Sequence, residues 1–264
     1  MKFTESVFVS MKKERPVIDT HAHLFLSELS AEDYIKNAQA AGLERIVSVA
    51  TDLKTSAECV RLATHYPIIV ATAGIHPCEE GAENTIAALR EFVSSHSVVA
   101  IGEIGLDGYR SPVPMADQIE RFVLQLELAR EVGLPVIIHC RKAADPMISV
   151  IASFHDVPKV FHCFSEDRQF IDAVSSPETY FSFTGNVTYD NAKNSRHAAS
   201  IVPFDRIMLE TDAPYMTPTR YKGSANESAF LRATADAIAE LRRIETDTLI
   251  DQTTLNARRF FRLT

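Results

Sequence analysis

Two histidines stand one residue apart at the end of an apolar, β-prone run, Val17-Ile18-Asp19-Thr20-His21-Ala22-His23-Leu24. Side chains alternate along a strand, so His21 and His23 project together while Ala22 points the other way. Paired imidazoles suit a divalent metal, although an isolated pair reads equally well as a polar strand end. Four more residues of ligand type fall at or near the ends of other β-prone runs: Glu103, His139, His162 and Asp212. Four histidines and two carboxylates are a borderline donor set that accepts zinc, manganese, cobalt, nickel or iron, and magnesium with waters. One or two divalent cations are therefore expected. The two oxygens of Glu103 allow a bridge, with His21, His23 and Asp212 on one ion and His139 and His162 on the other. Two cations about 3.5–4 Å apart can clamp an in-line displacement.

Other polar residues share these runs. Asp19 can orient a ligand from behind or serve as a buried structural hydrogen-bonding group. Glu210 is in phase with Asp212 on the last run, and Asp107, in phase with Glu103, is expected to fix a loop. His76, in Gly74-Ile75-His76-Pro77, can reach a substrate phosphate or cap a loop, and Arg141, Arg220 and Lys222 can admit a phosphodiester if they line the mouth of the site.

Eight short runs rich in Val, Ile and Phe carry these residues: Val17–Leu24, Arg45–Thr51, Ile68–Gly74, Val98–Leu106, Leu134–Cys140, Lys159–Ser165, Thr179–Gly185 and Arg206–Asp212. Segments of helical period lie between them. The clearest is Ala116–Val132, with Ile119, Phe122, Val123 and Leu126 on one stripe and Gly133 and Pro135 ending it. Ser30 before Ala31-Glu32-Asp33 is a second helix start, with an end near Gly42. Strand–helix alternation predicts a parallel sheet, and eight units close into a (β/α)8 TIM barrel, an open doubly wound sheet being the alternative. No G-x-G-x-x-G follows the first strand. In a barrel all the C-terminal strand ends meet at one face, so the six ligand-type side chains converge there. The loop Pro214–Ser228 follows the last strand and lies beside that face.

The chain has 264 residues, 46% hydrophobic and 23% charged, which suits one large α/β barrel, and no linker divides it. A single domain over residues 1–264 is expected, with residues 1–15 a possible N-terminal extension and Met11 a possible translational start. No apolar run is long enough to span a bilayer and no convincing signal peptide is present. The four cysteines, Cys59, Cys78, Cys140 and Cys163, form no C-x-x-C pair, which fits a reducing cytoplasm. Cys140 and Cys163, each after a histidine, are expected on the helix side of the sheet as small hydrophobes. A net charge of −8 argues against coating nucleic acid by bulk electrostatics but leaves a nuclease open. Oligomeric state is left open, and a monomer is compatible.

Seven blocks in order resemble the TatD family of metal-dependent hydrolases in the amidohydrolase superfamily. They are Asp19-Thr-His-Ala-His-Leu24, Gly74-Ile-His-Pro77, Gly102-Glu-Ile-Gly-Leu-Asp107, Pro135-Val-Ile-Ile-His-Cys-Arg141, His162-Cys-Phe-Ser165, Leu209-Glu-Thr-Asp-Ala-Pro214 and Asn256-Ala-Arg-Arg-Phe-Phe261. The resemblance implies a (β/α)8 fold, one or two divalent cations (Zn, Mg, Mn, Ni or Co), and phosphodiester hydrolysis on DNA as a 3′–5′ exonuclease. It places the metal positions on His21, His23, Glu103, His139, His162 and Asp212, adds His76 to the site and Arg141 as a phosphate contact. The family's Arg-Asn-Glu-Pro loop corresponds to Ala225-Asn226-Glu227-Ser228, which makes Asn226 and Glu227 candidate substrate contacts. The leading expectation is hydrolysis by metal-activated water with Asp212 as proton acceptor and Glu103, Arg141 and His76 assisting. The rivals are an amidohydrolase acting on an amide, lactone or small ester, and a non-catalytic metal-binding barrel.

Overall fold

The computed structural model describes residues 15–264; the possible start at Met11 lies outside the described residues. All eight expected strands are present: Val17–Ala22 (β1), Leu43–Ser48 (β2), Ile69–Ala71 (β3), Ile101–Asp107 (β4), Val136–Arg141 (β5), Lys159–Phe161 (β6), Thr179–Phe183 (β7) and Ile207–Leu209 (β8). Helices follow each in turn: Ala31–Ala40 (α1), Leu53–His65 (α2), Ile86–Ser95 (α3), Met115–Val132 (α4), Ala144–Ile151 (α5), Arg168–Val174 (α6), Lys193–Ile201 (α7) and Leu231–Arg242 (α8), with Thr246–Phe261 (α9) added at the end. Local chemistry sets the boundaries. The Ser30 hydroxyl accepts from the Asp33 amide at 3.1 Å, and Gly133, at φ 68°, ends α4 in the left-handed conformation that glycine tolerates.

All pairings are parallel, in the orders β1-β2-β3 and β4-β5-β6-β7-β8. Single bridges join the two sets at both edges, Ala73 to Ile101 and Ala22 to Ala213, so the ring closes as a (β/α)8 barrel. Val17, Ile138, Phe161 and Leu209 pack outward against the helices. Ile18, Val47, Ile137, Val160, Tyr180 and Met208 form a separate inner cluster, closed at the N-terminal end by Phe260 and Phe261 of α9.

Two strands depart from simple alternation. Register shifts fall between Asp19 and Ala22 in β1 and between Ile101 and Ile104 in β4. Each irregularity lies just before or at a ligand-type residue, His21 or Glu103, and changes the face it occupies. β6 and β8 are shorter than expected, but His162 and Asp212, just past their ends, keep inter-strand bonds: their amides donate to the Ile138 and His21 carbonyls at 3.0 Å and 2.9 Å.

Candidate metal centre

Six side chains from five strand ends meet over the inner apolar cluster. On one side, His21 Nε2 and His23 Nε2 are 3.3 Å apart. Glu103 Oε2 lies 3.4 Å and 3.5 Å from them, and Asp212 Oδ1 lies 3.7 Å and 3.6 Å away. His23 Nδ1 sits 2.9 Å from the Val49 carbonyl, which can only accept, so the proton is on Nδ1 and the Nε2 lone pair faces the group. His21 Nδ1 is buried and among the described residues has no hydrogen-bond partner, and its ring stacks on His162 at 4.1 Å.

The other oxygen of Glu103 faces a second group. Oε1 is 2.8 Å from both His139 Nδ1 and His162 Nε2, and 3.5 Å from His76 Nε2. His139 Nε2 is held at 3.0 Å by Asp107 Oδ2, while Asp107 Oδ1 accepts from the Tyr109 and Arg110 amides. Asp107 thus fixes its loop, as expected, and also orients a histidine ring. Glu210 lies behind His162: Oε1 is 3.4 Å from Nδ1 and accepts from the Cys163 amide at 2.6 Å, and Oε2 accepts from Ser182. Gly105 makes the β4–β5 approach possible, since at φ 140° a Cβ there would stand 2.0 Å from the His139 carbonyl oxygen.

The donor spacing fits a divalent cation. With metal–ligand bonds of roughly 2.0–2.2 Å, the edge of a tetrahedral shell is about 3.3–3.6 Å, close to the separations around His21, His23, Glu103 and Asp212. In each of three triads, His21-Glu103-His162, His21-His23-Asp212 and His76-Glu103-His139, one donor atom from each residue lies within 4.8 Å of the other two. Among the described residues no lysine or arginine forms an ion pair with Glu103 or Asp212. His76 differs from the other histidines. Its Nδ1 accepts from the Cys78 amide at 3.1 Å, so in the neutral ring the proton is on Nε2, which points at Glu103 as a donor.

Burial alone would raise the Glu103 pKa, but His162 and His76 and the hydrogen bonds of His139 and His162 outweigh it and hold it well below the carboxylate range. Asp212 has no such hydrogen bonds, and burial pushes it up to about 6. Burial and neighbouring His21 push His23 down to about 3, whereas His162, despite burial, is raised well above the usual imidazole value by Glu103 and Glu210. The two carboxylates, with different partners, are thus pushed in opposite directions, an arrangement associated with functional sites.

The remaining expected residues divide. Arg141 lines the cavity above the cluster, its guanidinium 4.5 Å over the exposed Tyr109 ring. Arg220 pairs with Asp236 at 3.6 Å, and neither it nor Lys222 lines that cavity. Asn226 is buried, and its Nδ2 donates to the carbonyls of Thr211 and Tyr215; Glu227 accepts from Asn37 at 2.9 Å. Both are expected substrate contacts, and both are placed as loop-fixing groups away from the cavity lining, because the chain turns back onto β8 and α1 there. Asp19 takes its structural alternative: it accepts from the Thr211 amide and hydroxyl and from Ser228, which bonds Tyr34 of α1. Next to inward-facing Ile18, its carboxylate points to the helix side, and the register shift that follows takes His21 off that face. Cys140 and Cys163 line the cavity instead of facing only the helices; for Cys163 the cause is that β6 has ended and the residue adopts φ 45°. Two features escaped the sequence reading, the Asp107 contact to His139 and the Tyr109 ring beneath Arg141. The phase of Asp107 with Glu103 pointed to the first, and nothing in the spacing pointed to the second.

The cavity has a volume of about 1440 Å³ and is lined by residues from the ends of all eight strands. A closed parallel barrel with a histidine–carboxylate cluster at its C-terminal face is the architecture of a metal-dependent hydrolase. The chain belongs to the TatD-related DNase family, whose model matches residues 18–262. It is 35% identical over 253 residues to the metal-dependent hydrolase YabD of Bacillus subtilis, covering 94% of this chain and 99% of that protein. It is also 35% identical over 241 residues to the 3′-5′ ssDNA/RNA exonuclease TatD of Erwinia tasmaniensis, covering 87% and 92%. The crystal structure of YjjV, a TatD homologue from Escherichia coli, superposes with a TM-score of 0.88 at 28% identity, covering 94% and 98%.

Proposed function

We propose that the protein is a divalent-metal-dependent phosphodiesterase that degrades single-stranded nucleic acid, DNA in the first instance, from its 3′ end. The observation that carries the reading is the division of Glu103, whose two oxygens each face a separate group of nitrogens. His21, His23 and Asp212 would hold one cation and His139 and His162 a second, with Glu103 common to both. Such a pair supplies Lewis-acid polarisation of the phosphoryl group and a water acidic enough to ionise near neutral pH. Asp212 is the proton acceptor: its Oδ1 faces the histidines, while among the described residues no hydrogen bond reaches Oδ2. Arg141 holds phosphoryl oxygen, and His76 donates from Nε2. The exonuclease name of the Erwinia relative supports the substrate class. Four free cysteines and no helix long and apolar enough to cross a membrane, both among the described residues, fit a cytoplasmic enzyme.

The test is chelation followed by return of Zn, Mg, Mn, Ni or Co singly, with single-stranded DNA, RNA and bis-p-nitrophenyl phosphate as substrates. Hydrolysis of the oligonucleotides, abolished by chelator and restored by a metal, is expected. Silence on every phosphodiester with turnover of lactones or amides would replace this reading with the amidohydrolase, and a metal-raised Tm without any hydrolysis would leave a binding barrel.

A further inference from the structure

The walls of the cavity differ in kind on opposite sides of the metal centre. Strands four apart in an eight-stranded barrel stand across the ring from each other, so the end of β1 faces β5 and the end of β8 faces β4. The β1 and β8 ends contribute Phe25, Leu26, Tyr215 and Met216 to the lining, and the β4 and β5 ends contribute Arg110 and Arg141. Phe25 and Tyr215 both present ring edges or faces to His23, at centroid distances of 5.7 Å and 6.3 Å. Among the described residues, neither Arg110 nor Arg141 forms an ion pair. Arg61, also in the lining, is already paired with Glu58 at 2.6 Å.

The apolar wall is exposed yet firmly held. Leu26 is 44% and Tyr215 52% exposed, and with Phe25 and Met216 they put apolar surface on one side of the cavity. The loop bearing Tyr215 and Met216 is fixed from several directions. Asn226 donates to the Tyr215 carbonyl at 2.6 Å, Tyr189 donates to the Thr217 carbonyl at 2.8 Å, and the chain runs so close over Gly185 that a Cβ there would stand 2.2 Å from the Met216 carbonyl oxygen. Phe25 and Leu26 sit in a turn closed by the Leu26 amide on the His23 carbonyl. An exposed aromatic ring carried on an anchored backbone suits stacking, because the loop loses little conformational freedom when a flat ligand lands on it.

Building on the phosphodiesterase reading, we propose that Tyr215, with Leu26 and Phe25, is the platform on which the base of the terminal nucleotide stacks, while the phosphates of the remaining strand cross the Arg110–Arg141 wall. The division of charge argues for this direction. A strand end has one base to place and few phosphates, whereas the remaining strand is a polyanion that needs the unpaired guanidiniums. Stacking discriminates a base from no base and tolerates all four bases, so the platform confers selectivity for intact ends without a sequence preference.

The test compares single-stranded oligonucleotides that differ only in whether the terminal residues carry a base or are abasic, with the manganese-loaded protein. Base stacking of ordinary strength predicts that the wild type favours the base-bearing ends by about tenfold in kcat/KM. Tyr215→Ala should bring that ratio toward unity, and Tyr215→Phe should retain it, since the ring and not the hydroxyl makes the contact. A second readout needs no turnover: in chelator, an oligonucleotide ending in 2-aminopurine should lose fluorescence on binding the wild type and lose less on binding Tyr215→Ala. A wild-type ratio near one, or a ratio unchanged by Tyr215→Ala, would overturn the platform while leaving the phosphodiesterase intact. No hydrolysis of either oligonucleotide by the wild type with any metal would remove the phosphodiesterase reading and the platform with it.

Discussion

The two ends of this barrel are built from the same strands and do opposite things. On β5, Ile137 faces the inner apolar cluster and His139 faces the metal centre; the corresponding pairs are Val160 of β6 with His162 just past its end, and Met208 of β8 with Asp212 beyond it. A few residues along one strand separate a group that water must not reach from one that must meet water and substrate. The lower layer, closed by Phe260 and Phe261, is the floor on which the upper one stands. The contrast teaches where substitutions should read out: at the C-terminal face in rate and metal affinity, at the N-terminal end in stability.

The largest effect tests the upper end. Asp212→Asn keeps the size of the side chain and removes its basicity, so kcat should fall by about 10²- to 10⁴-fold while the metal-free Tm stays within a few degrees. Steady-state kinetics on a phosphodiester would check it, and near-wild-type turnover with metal present would take the proton-acceptor role from Asp212. The counterpart at the lower end is Ile137→Ala, which removes three carbons from a fully buried side chain. A loss of about 2–5 kcal/mol is expected in denaturant unfolding, with kcat per folded molecule changed only slightly. A large fall in kcat at unchanged stability would show that the two layers are not separable.

How much of this was legible beforehand follows the same division. All eight strands could be read because inner and outer faces are both apolar, and the inferred ligand residues converge because a parallel barrel brings its C-terminal strand ends together. What failed was detail that alternation cannot carry. Counted from Ile18, His21 would fall on the opposite face, and only the register shift between Asp19 and Ala22 turns it inward. By the same count Asp19 falls on the helix side, where it meets Thr211 and Ser228 and no longer shares a face with His21, and the early end of β6 puts Cys163 on the cavity wall. Nor can a loop motif show that Asn226 and Glu227 bond to Tyr215 and Asn37, 11 and 190 residues away in the chain.

A smaller effect probes the support behind the upper layer. Glu210 touches the cluster only through His162 Nδ1 and the Cys163 amide. Glu210→Gln should weaken zinc or manganese binding about 10- to 100-fold, measured by calorimetry on chelated and dialysed protein. Unchanged affinity would mean that the stacking of His162 on His21 at 4.1 Å suffices to orient the ring.

The smallest effect returns to the lower end, where one residue breaks the apolar rule. Lys159 begins β6, is fully buried, and its Nζ has no hydrogen-bond partner among the described residues; burial pushes its pKa down to about 8, with Glu178 and Asp156 opposing that shift only through space. The folded state therefore holds the proton less tightly than the unfolded chain, whose lysine titrates near 10.5. The sign follows from linkage: stability from this group is fully present above the unfolded value and is lost as pH falls through about 10.5 to about 8. Lys159→Met, which keeps the length of the side chain and removes the charge, should be more stable than wild type at pH 7 by about 2 kcal/mol at most, and the advantage should shrink as pH rises toward 10. Urea unfolding of the metal-free protein across that range reads it directly. An advantage independent of pH would mean that the variant gains through packing, and a loss at pH 7 would mean that the ammonium finds a partner when the protein relaxes in solution.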